Sequence, residues 1–415
     1  VEADGNTDIT LQIDAEGLTR NGQVTRIDGS GQYRGEPFEL TFRGDPLLDL
    51  REPQDPFALE MSFDIAQTQF RIDGKFVRPL ELKGFDIDLT VAGPNPRRLY
   101  PLTGISLPDL PPYRISGWLS LEDRTWQFQD FEGRVGDSDV QGDIFLDVSG
   151  ERPFMRFELV SDQTDFDDLV GAAPANGPGE TVVAEQKKEA RQESRTESVL
   201  PADPYSVKRL RPIDAVVDFK GKRLQAPNLP LDGMQVKFRL DAGRMVFDPL
   251  RFGVGGGFVR AKMTVDTNEE FLQGSLETEV EKVDLKKVLG AFDIADDSLG
   301  IIGGRAKLWV KGNSIGEFAA SADGGLYLLM GGGQLDRLLI ELAGFDGGET
   351  LLELIGEEQQ VPIDCAYADL QAENGIVELN TFAVDTSDTL FTVSGSVDLA
   401  KETLDLTIQP RPKDV

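Results

Sequence analysis

The chain of 415 residues contains no histidine. That absence removes Ser-His-Asp and Cys-His nucleophile pairs and every metal centre that needs imidazole. A single cysteine, Cys365, allows neither an internal disulfide nor a Cys-x-x-Cys zinc site, and it reads as a small buried apolar residue. No run reaches the roughly 18 apolar residues that a membrane-crossing helix needs, so no span is expected. There is no signal peptide, and the chain opens Val1-Glu2-Ala3-Asp4-Gly5 without a Met, as expected of a fragment or processed chain. Positive charge is scarce: 42 Lys and Arg stand against 73 Asp and Glu, a formal charge of −31. Such a field repels nucleic acid, and the basic run Lys208-Arg209-Leu210-Arg211 is short and isolated. Neither a cofactor nor a metal nor a nucleic-acid partner is expected.

What is abundant is alternation of apolar and polar residues with period two. It runs through Ile9, Leu11 and Ile13, through Phe38, Leu40 and Phe42, and through Leu59, Met61, Phe63 and Ile65. Phe70 and Ile72 continue it, then Phe85, Ile87, Leu89 and Val91. It returns at Val236, Phe238 and Leu240, at Val259, Ala261, Met263 and Val265, at Ala306, Leu308 and Val310, and at Leu404, Leu406 and Ile408. Each run gives a strand one apolar and one polar face. Turn signals fall at Asp28-Gly29-Ser30-Gly31, Asp73-Gly74, Asp241-Ala242-Gly243 and Glu373-Asn374-Gly375. The pattern predicts many antiparallel strands joined by hairpins.

Two stretches depart from it. Residues 172–204 hold Pro, Gly, Ala and mixed charge with almost no large apolar groups, a composition that cannot bury enough surface to order itself. The predicted organisation is a β-segment at 1–171, a flexible acidic or polar linker or disordered loop at 172–206, and a second β-segment at 207–415. Leu335, Leu338, Leu339 and Leu342 follow i, i+3, i+4, i+7 spacing and predict an amphipathic helix near 334–355, packed on the sheet or plugging one end of it.

The chain also repeats itself. Residues 121–171 align without a gap on 240–290, a shift of 119: Phe128 meets Phe247, Val135-Gly136 meets Val254-Gly255, and Asp165-Phe166 meets Asp284-Leu285. A weaker third copy follows at a further shift of 132, where Phe247 meets Leu379 and Leu250 meets Phe382. This decides how to read Gly253-Val254-Gly255-Gly256-Gly257. A phosphate cradle needs bare backbone and a following Lys or helix N-terminus. The matching residues are Gly136-Asp137-Ser138 and Ser387-Asp388-Thr389, whose carboxylates would repel phosphate. Gly, Asp and Ser all suit a hairpin turn. The acidic cluster Asp162, Asp165, Asp167 and Asp168 is a weak catalytic candidate, since Lys286 and Lys287 replace its last two members in the second copy. It also lacks the Asp-x-Asp-x-Asp-Gly pattern of a calcium loop. No enzyme activity is expected.

Several stretches in order resemble the AsmA family of bacterial envelope proteins. They include Tyr33-Arg34-Gly35-Glu36-Pro37-Phe38, Leu82-Lys83-Gly84-Phe85-Asp86-Ile87-Asp88-Leu89, Leu99-Tyr100-Pro101-Leu102, Gly133-Arg134-Val135-Gly136-Asp137-Ser138-Asp139-Val140 and Val393-Ser394-Gly395-Ser396-Val397-Asp398-Leu399. The resemblance covers most of the chain outside 172–204. It implies a mostly β protein, an elongated, curved antiparallel sheet or groove built from repeated β-meanders. It also implies a periplasmic position, anchored to the inner membrane through a segment this chain does not contain, and relation to bridge-like lipid transfer proteins. The partner implied is phospholipid, with outer-membrane or envelope proteins as further partners.

An apolar sheet face must be covered, by a second sheet or by something else such as acyl chains. The candidate lining is Phe63, Ile65, Phe70, Ile72, Phe85, Ile87 and Leu89 in the first half, and Phe238, Leu240, Val259, Met263, Val265, Leu308 and Val310 in the second. Alternation alone is equally compatible with the core of a sandwich. The rival reading is a lipid-free scaffold that helps assemble outer-membrane proteins; an open apolar face or a closed one separates the two.

Overall fold

The computed structural model describes residues 8–14, 25–46, 56–78, 83–103, 107, 109–122, 124–165, 167–168, 211–225, 231–268, 271–290, 300–336 and 360–413. These fall into two compact units, one running to Asp168 with 211–221 added, the other from Lys222 onward. Residues 172–206, read as a linker, lie outside the described residues.

Unit 1 is a meander. Its strands are β1 (Asp8–Asp14), β2 (Thr25–Tyr33), β3 (Glu36–Gly44), β4 (Phe57–Ile65), β5 (Thr68–Arg78), β6 (Lys83–Gly93), β7 (Tyr113–Glu122), β8 (Thr125–Val135), β9 (Ser138–Asp147) and β10 (Phe154–Ser161), followed by the two-residue β11 (Thr164–Asp165) and by β12 (Asp214–Gln225). Each strand from β1 to β9 pairs antiparallel with the next. The ladder then departs from the antiparallel expectation, because β12 lies parallel to β10 with Phe154 opposite Asp214 and Ser161 opposite Gly221. A parallel neighbour needs a crossover of a dozen or more residues, and the chain between Ser161 and Asp214 supplies that length. One helical turn, α1 (Tyr100–Thr103), follows the 3-10 turn Pro96–Leu99. Its Leu102 packs against Phe38, Ile65 and Ala66.

Unit 2 continues with β13 (Leu231–Asp241), β14 (Arg244–Val254), β15 (Gly257–Asp266), β16 (Leu272–Asp284), β17 (Ile301–Gly312), β18 (Asp323–Met330), β19 (Gly333–Asp336), β20 (Gln360–Glu373), β21 (Ile376–Thr386), β22 (Thr389–Asp398) and β23 (Thr403–Pro412). Strands β13 to β18 pair in order, β18 and β19 both pair with β20, and β20 to β23 pair in order, all antiparallel. Two short helices, α2 (Leu285–Gly290) and α3 (Ile315–Ala320), sit at strand ends. The ladder is open: among the described residues β23 is paired on one side only. The Lys413 backbone N–H donates to the Asp388 carbonyl at 2.8 Å, so odd-numbered residues of β23 turn their backbone toward β22. Even-numbered residues face the open edge, where Pro410 and Pro412 offer no N–H and blunt it.

The repeat read in the sequence is present as geometry. The register between β8 and β9 slips between Phe128 and Phe131, that between β14 and β15 between Phe247 and Leu250, and that between β21 and β22 between Glu378 and Phe382. The shift of 119 superposes the first two slips, and the further shift of 132 carries Phe247 and Leu250 onto Leu379 and Phe382, within the third. A bulge bends its strand and raises the local twist, so the same bend recurs three times. The glycine stretch of the second copy is a hairpin turn, with Gly255 at φ 57° and Gly256 at φ 79° joining β14 to β15. Positive φ at both central residues matches the twist of the flanking strands.

Three expectations are corrected. Asp28-Gly29-Ser30-Gly31 and Asp73-Gly74 lie inside β2 and β5, and the chain turns at Arg34-Gly35 and Ala66-Gln67. Gly74 is in a strand because of close approach: a Cβ there would stand 2.4 Å from the Asp86 carbonyl oxygen and 2.7 Å from Ile87 Cγ2. Leu335 falls in β19, opposite Val361 of β20, so the ladder claims the start of the expected helix; Leu338, Leu339 and Leu342 lie outside the described residues. Cys365 is exposed, because in β20 it is Ala366, Ala368 and Leu370 that take the apolar side.

Candidate functional site: the apolar face of each ladder

Residues directly opposite one another in a ladder share a face, so the register alone traces each surface. In unit 1, Leu40 stands opposite Phe63, Phe63 opposite Phe70, and Phe70 opposite Val91. The next row runs from Phe42 through Met61, Ile72 and Leu89 to Gly117. Phe38 is opposite Ile65, Gly74 opposite Ile87, and Phe76 opposite Phe85. Beyond β6 the face continues through Leu119, Phe128, Ile144, Phe157 and Val217. Every candidate of the first half therefore belongs to one apolar surface, with Phe85 placed on it by register. Asp28, Arg43, Glu60, Arg71, Asp73 and Asp88 stand on the other surface.

Unit 2 repeats the arrangement. One row joins Phe238, Phe247, Met263, Leu276 and Leu308. A second joins Leu240, Met245, Val265, Gly274 and Val310. A third joins Val259, Val280, Gly304, Leu328 and Ala368, and leads through Phe382 and Val393 to Ile408. All seven candidates of the second half lie on this surface.

Within each unit the described strands form a single ladder, with no second described sheet to stack on its apolar side. Exposure reflects that. Ile65 and Ile87 at the floor are 2% and 3% exposed, whereas Phe63, Phe70, Ile72, Leu89, Met263 and Leu308 are only half-buried. At the edge of unit 2 the Leu404 side chain is 68% exposed. A sandwich core would enclose these groups; here each leans on its neighbours along the sheet and presents the rest outward. The rings are packed in that way, with Phe63 5.7 Å from Phe38 and 6.1 Å from Phe70, and Phe238 4.8 Å from Phe247, centroid to centroid. At the Tyr113 end of the first surface, burial pushes the phenol above its ordinary pKa.

Of the acidic cluster, Asp168 is buried and its carboxylate accepts from the Asp137 N–H at 3.0 Å, the Ser138 N–H at 2.9 Å and the Ser138 hydroxyl at 2.6 Å. It clamps the residues after β11 onto the β8–β9 turn. In the second copy α2 occupies the matching place against the Gly255-Gly256 turn. No group of acidic or cysteine side chains among the described residues could hold a metal ion. No described helix is long and apolar enough to cross a membrane.

An open, repeated β-meander with one continuous apolar face per unit defines a class of protein that presents greasy surface along a sheet instead of enclosing it. By comparison with known proteins the chain belongs to the AsmA family, whose family model matches residues 3–382. It is 30% identical over 401 residues to the AsmA family protein YhjG of Escherichia coli (strain K12), an alignment that covers 94% of this chain and 58% of the relative. The chain thus spans under three-fifths of that relative's length. No solved structure matches it. AsmA proteins are a bacterial envelope family.

Proposed function

We propose that this chain holds phospholipids by their acyl tails along the apolar faces and conducts them between the inner and outer membranes, within a periplasmic protein anchored to the inner membrane by a segment outside this chain. The observation that carries the reading is the apolar face of each unit, which no second described sheet covers, traced strand by strand through the register. A tail carbon taken out of water contributes roughly 0.8 kcal/mol. A tail of about 16 carbons lying half-immersed on such a face gains roughly 6 kcal/mol, and the two tails of a phospholipid roughly 13. Association itself costs from about 4 to 15 kcal/mol, so one tail is marginal and two exceed most of that range. No dedicated head-group residue is needed, and the face works as a non-enzymatic surface along which tails slide.

Native mass spectrometry and lipid extraction on the purified chain test the proposal. Several phospholipids per chain, released by solvent extraction, are expected. A lipid-free, monodisperse protein would refute it and favour the scaffold reading.

A further inference from the structure

The polar face of unit 2 carries a site of its own. The register sets Lys262, Glu277, Lys307, Gly325 and Gln371 in one row across five strands, with Arg260, Glu279, Arg305, Tyr327 and Asp369 in the row beside it. Trp309 stands on the far side of the first row, opposite Asp323. A cavity of about 760 Å³ opens here, within the range of small-ligand sites. Trp309 and Tyr327 border it while remaining 48% and 42% exposed. They flank a floor without a side chain: a Cβ on Gly325 would find Gln371 Oε1 at 3.3 Å as its nearest neighbour.

The charges around the cavity are unequally committed. Lys262 is bound to Asp248 at 3.0 Å and Lys307 to Glu277 at 2.7 Å. Arg260 and Arg305 make no hydrogen bond or ion pair to any described residue. Two free guanidinium forks on a chain of charge −31 select an acidic group. Trp and Tyr give rigid, amphipathic contact area at low entropic cost, the side chains best suited to lie against a sugar ring. Gln371 and Glu279 add the amide and carboxylate that pair with hydroxyls. Trp309 is opposite Asp323, and Tyr327 lies four residues further along the same strand, roughly 13 Å at the rise of a strand. A ligand that meets both rings is therefore an oligomer and not a single sugar.

We propose that the cavity between Trp309, Tyr327 and Arg305 on the polar face of unit 2 binds an acidic oligosaccharide, on the surface opposite the apolar one. The reading is independent of lipid binding.

Isothermal titration calorimetry of the whole chain with tetragalacturonate, and with neutral cellotetraose for comparison, tests it. Saturable binding of tetragalacturonate at least about tenfold tighter than cellotetraose is expected, with about a tenfold loss in both Trp309→Ala and Arg305→Gln. Trp118→Ala, an exposed tryptophan on the polar face of unit 1, should bind as the parent does. Circular dichroism confirms that each variant is folded, and Arg305→Gln keeps the test valid if Trp309→Ala is not. No binding at about 10 mM, below any useful affinity, would overturn the proposal. So would equal affinity for both sugars, unchanged binding in both variants, or binding only to phosphatidylglycerol vesicles.

Discussion

A single carboxylate placed on the apolar face separates its two possible roles. Leu89 is half-buried, opposite Ile72 on one side and Gly117 on the other. Leu89→Glu removes a side chain whose full burial would be worth about 2 kcal/mol, so the lipid-free fold loses about 1 kcal/mol and a Tm shift of about 2–4 °C. A tail lying across the same position must strip water from the new carboxylate at a cost of several kcal/mol, which lowers occupancy there about a hundredfold or more. The matched control is Ser62→Glu, which adds the same charge to the polar face directly opposite Arg71. Native mass spectrometry counts the phospholipids retained, and thermal unfolding reports the fold. The account requires fewer lipids in Leu89→Glu and an unchanged count in Ser62→Glu. Equal counts in the two variants would refute the reasoning, as would a collapse of the Leu89→Glu fold, which would mean that the face is a closed core.

Val265→Glu makes the same test in unit 2 and should lower the lipid count with the circular dichroism spectrum kept. Gly142→Ala should destabilise unit 1 by at least about 2 kcal/mol in urea unfolding, because Gly142 has φ 148° and a Cβ there would lie 1.9 Å from the Glu158 carbonyl oxygen. Asp168→Ala should cost about 3 kcal/mol, since it strands the Ser138 hydroxyl and two turn N–H groups that a buried carboxylate now satisfies. Asp139 gives a pH signature. Partial burial pushes its carboxyl up, but the Asp162 and Gln163 N–H groups and the Ser161 hydroxyl outweigh this and hold its pKa below the ordinary value of 3.8. Its contribution is therefore complete above that value and is lost as pH falls through the lowered pKa; in Asp139→Asn this part of the acid dependence should disappear from chemical-unfolding midpoints measured at decreasing pH.

The strands were legible because alternation is a direct consequence of a sheet with one wet face. The repeat was legible because the residues that build each bulge, such as Phe128 and Phe131 or Phe247 and Leu250, keep their spacing. Errors arose where one residue type serves two purposes. Glycine marks turns, yet Gly29, Gly31 and Gly74 stand in strands opposite Leu40, Phe38 and Ile87. Leu335 fits a helical period with the leucines that follow it, but β20 offers Leu335 itself a ladder partner that a periodicity count does not include. Cys365 follows the alternation of its strand and not the general preference of cysteine for the interior. The parallel β10–β12 pairing left no local trace, because it depends on where the chain returns after a long excursion. Placing the candidate lining on one surface was possible from parity, but whether that surface is covered depends on layering, which period two does not encode. The polar-face cavity was missed for a related reason: Arg260, Arg305, Trp309 and Tyr327 come from three strands and only the register brings them together.

The central claim is that tails lie on one face and not on the other. Photo-crosslinking in cells, with benzoylphenylalanine placed at Ile72 or Met263 on the apolar faces and at Arg71 or Lys262 on the polar ones, tests it most directly. The account predicts phospholipid adducts at Ile72 and Met263 and none at Arg71 and Lys262. Adducts spread over both faces, or protein adducts alone at Ile72 and Met263, would contradict it.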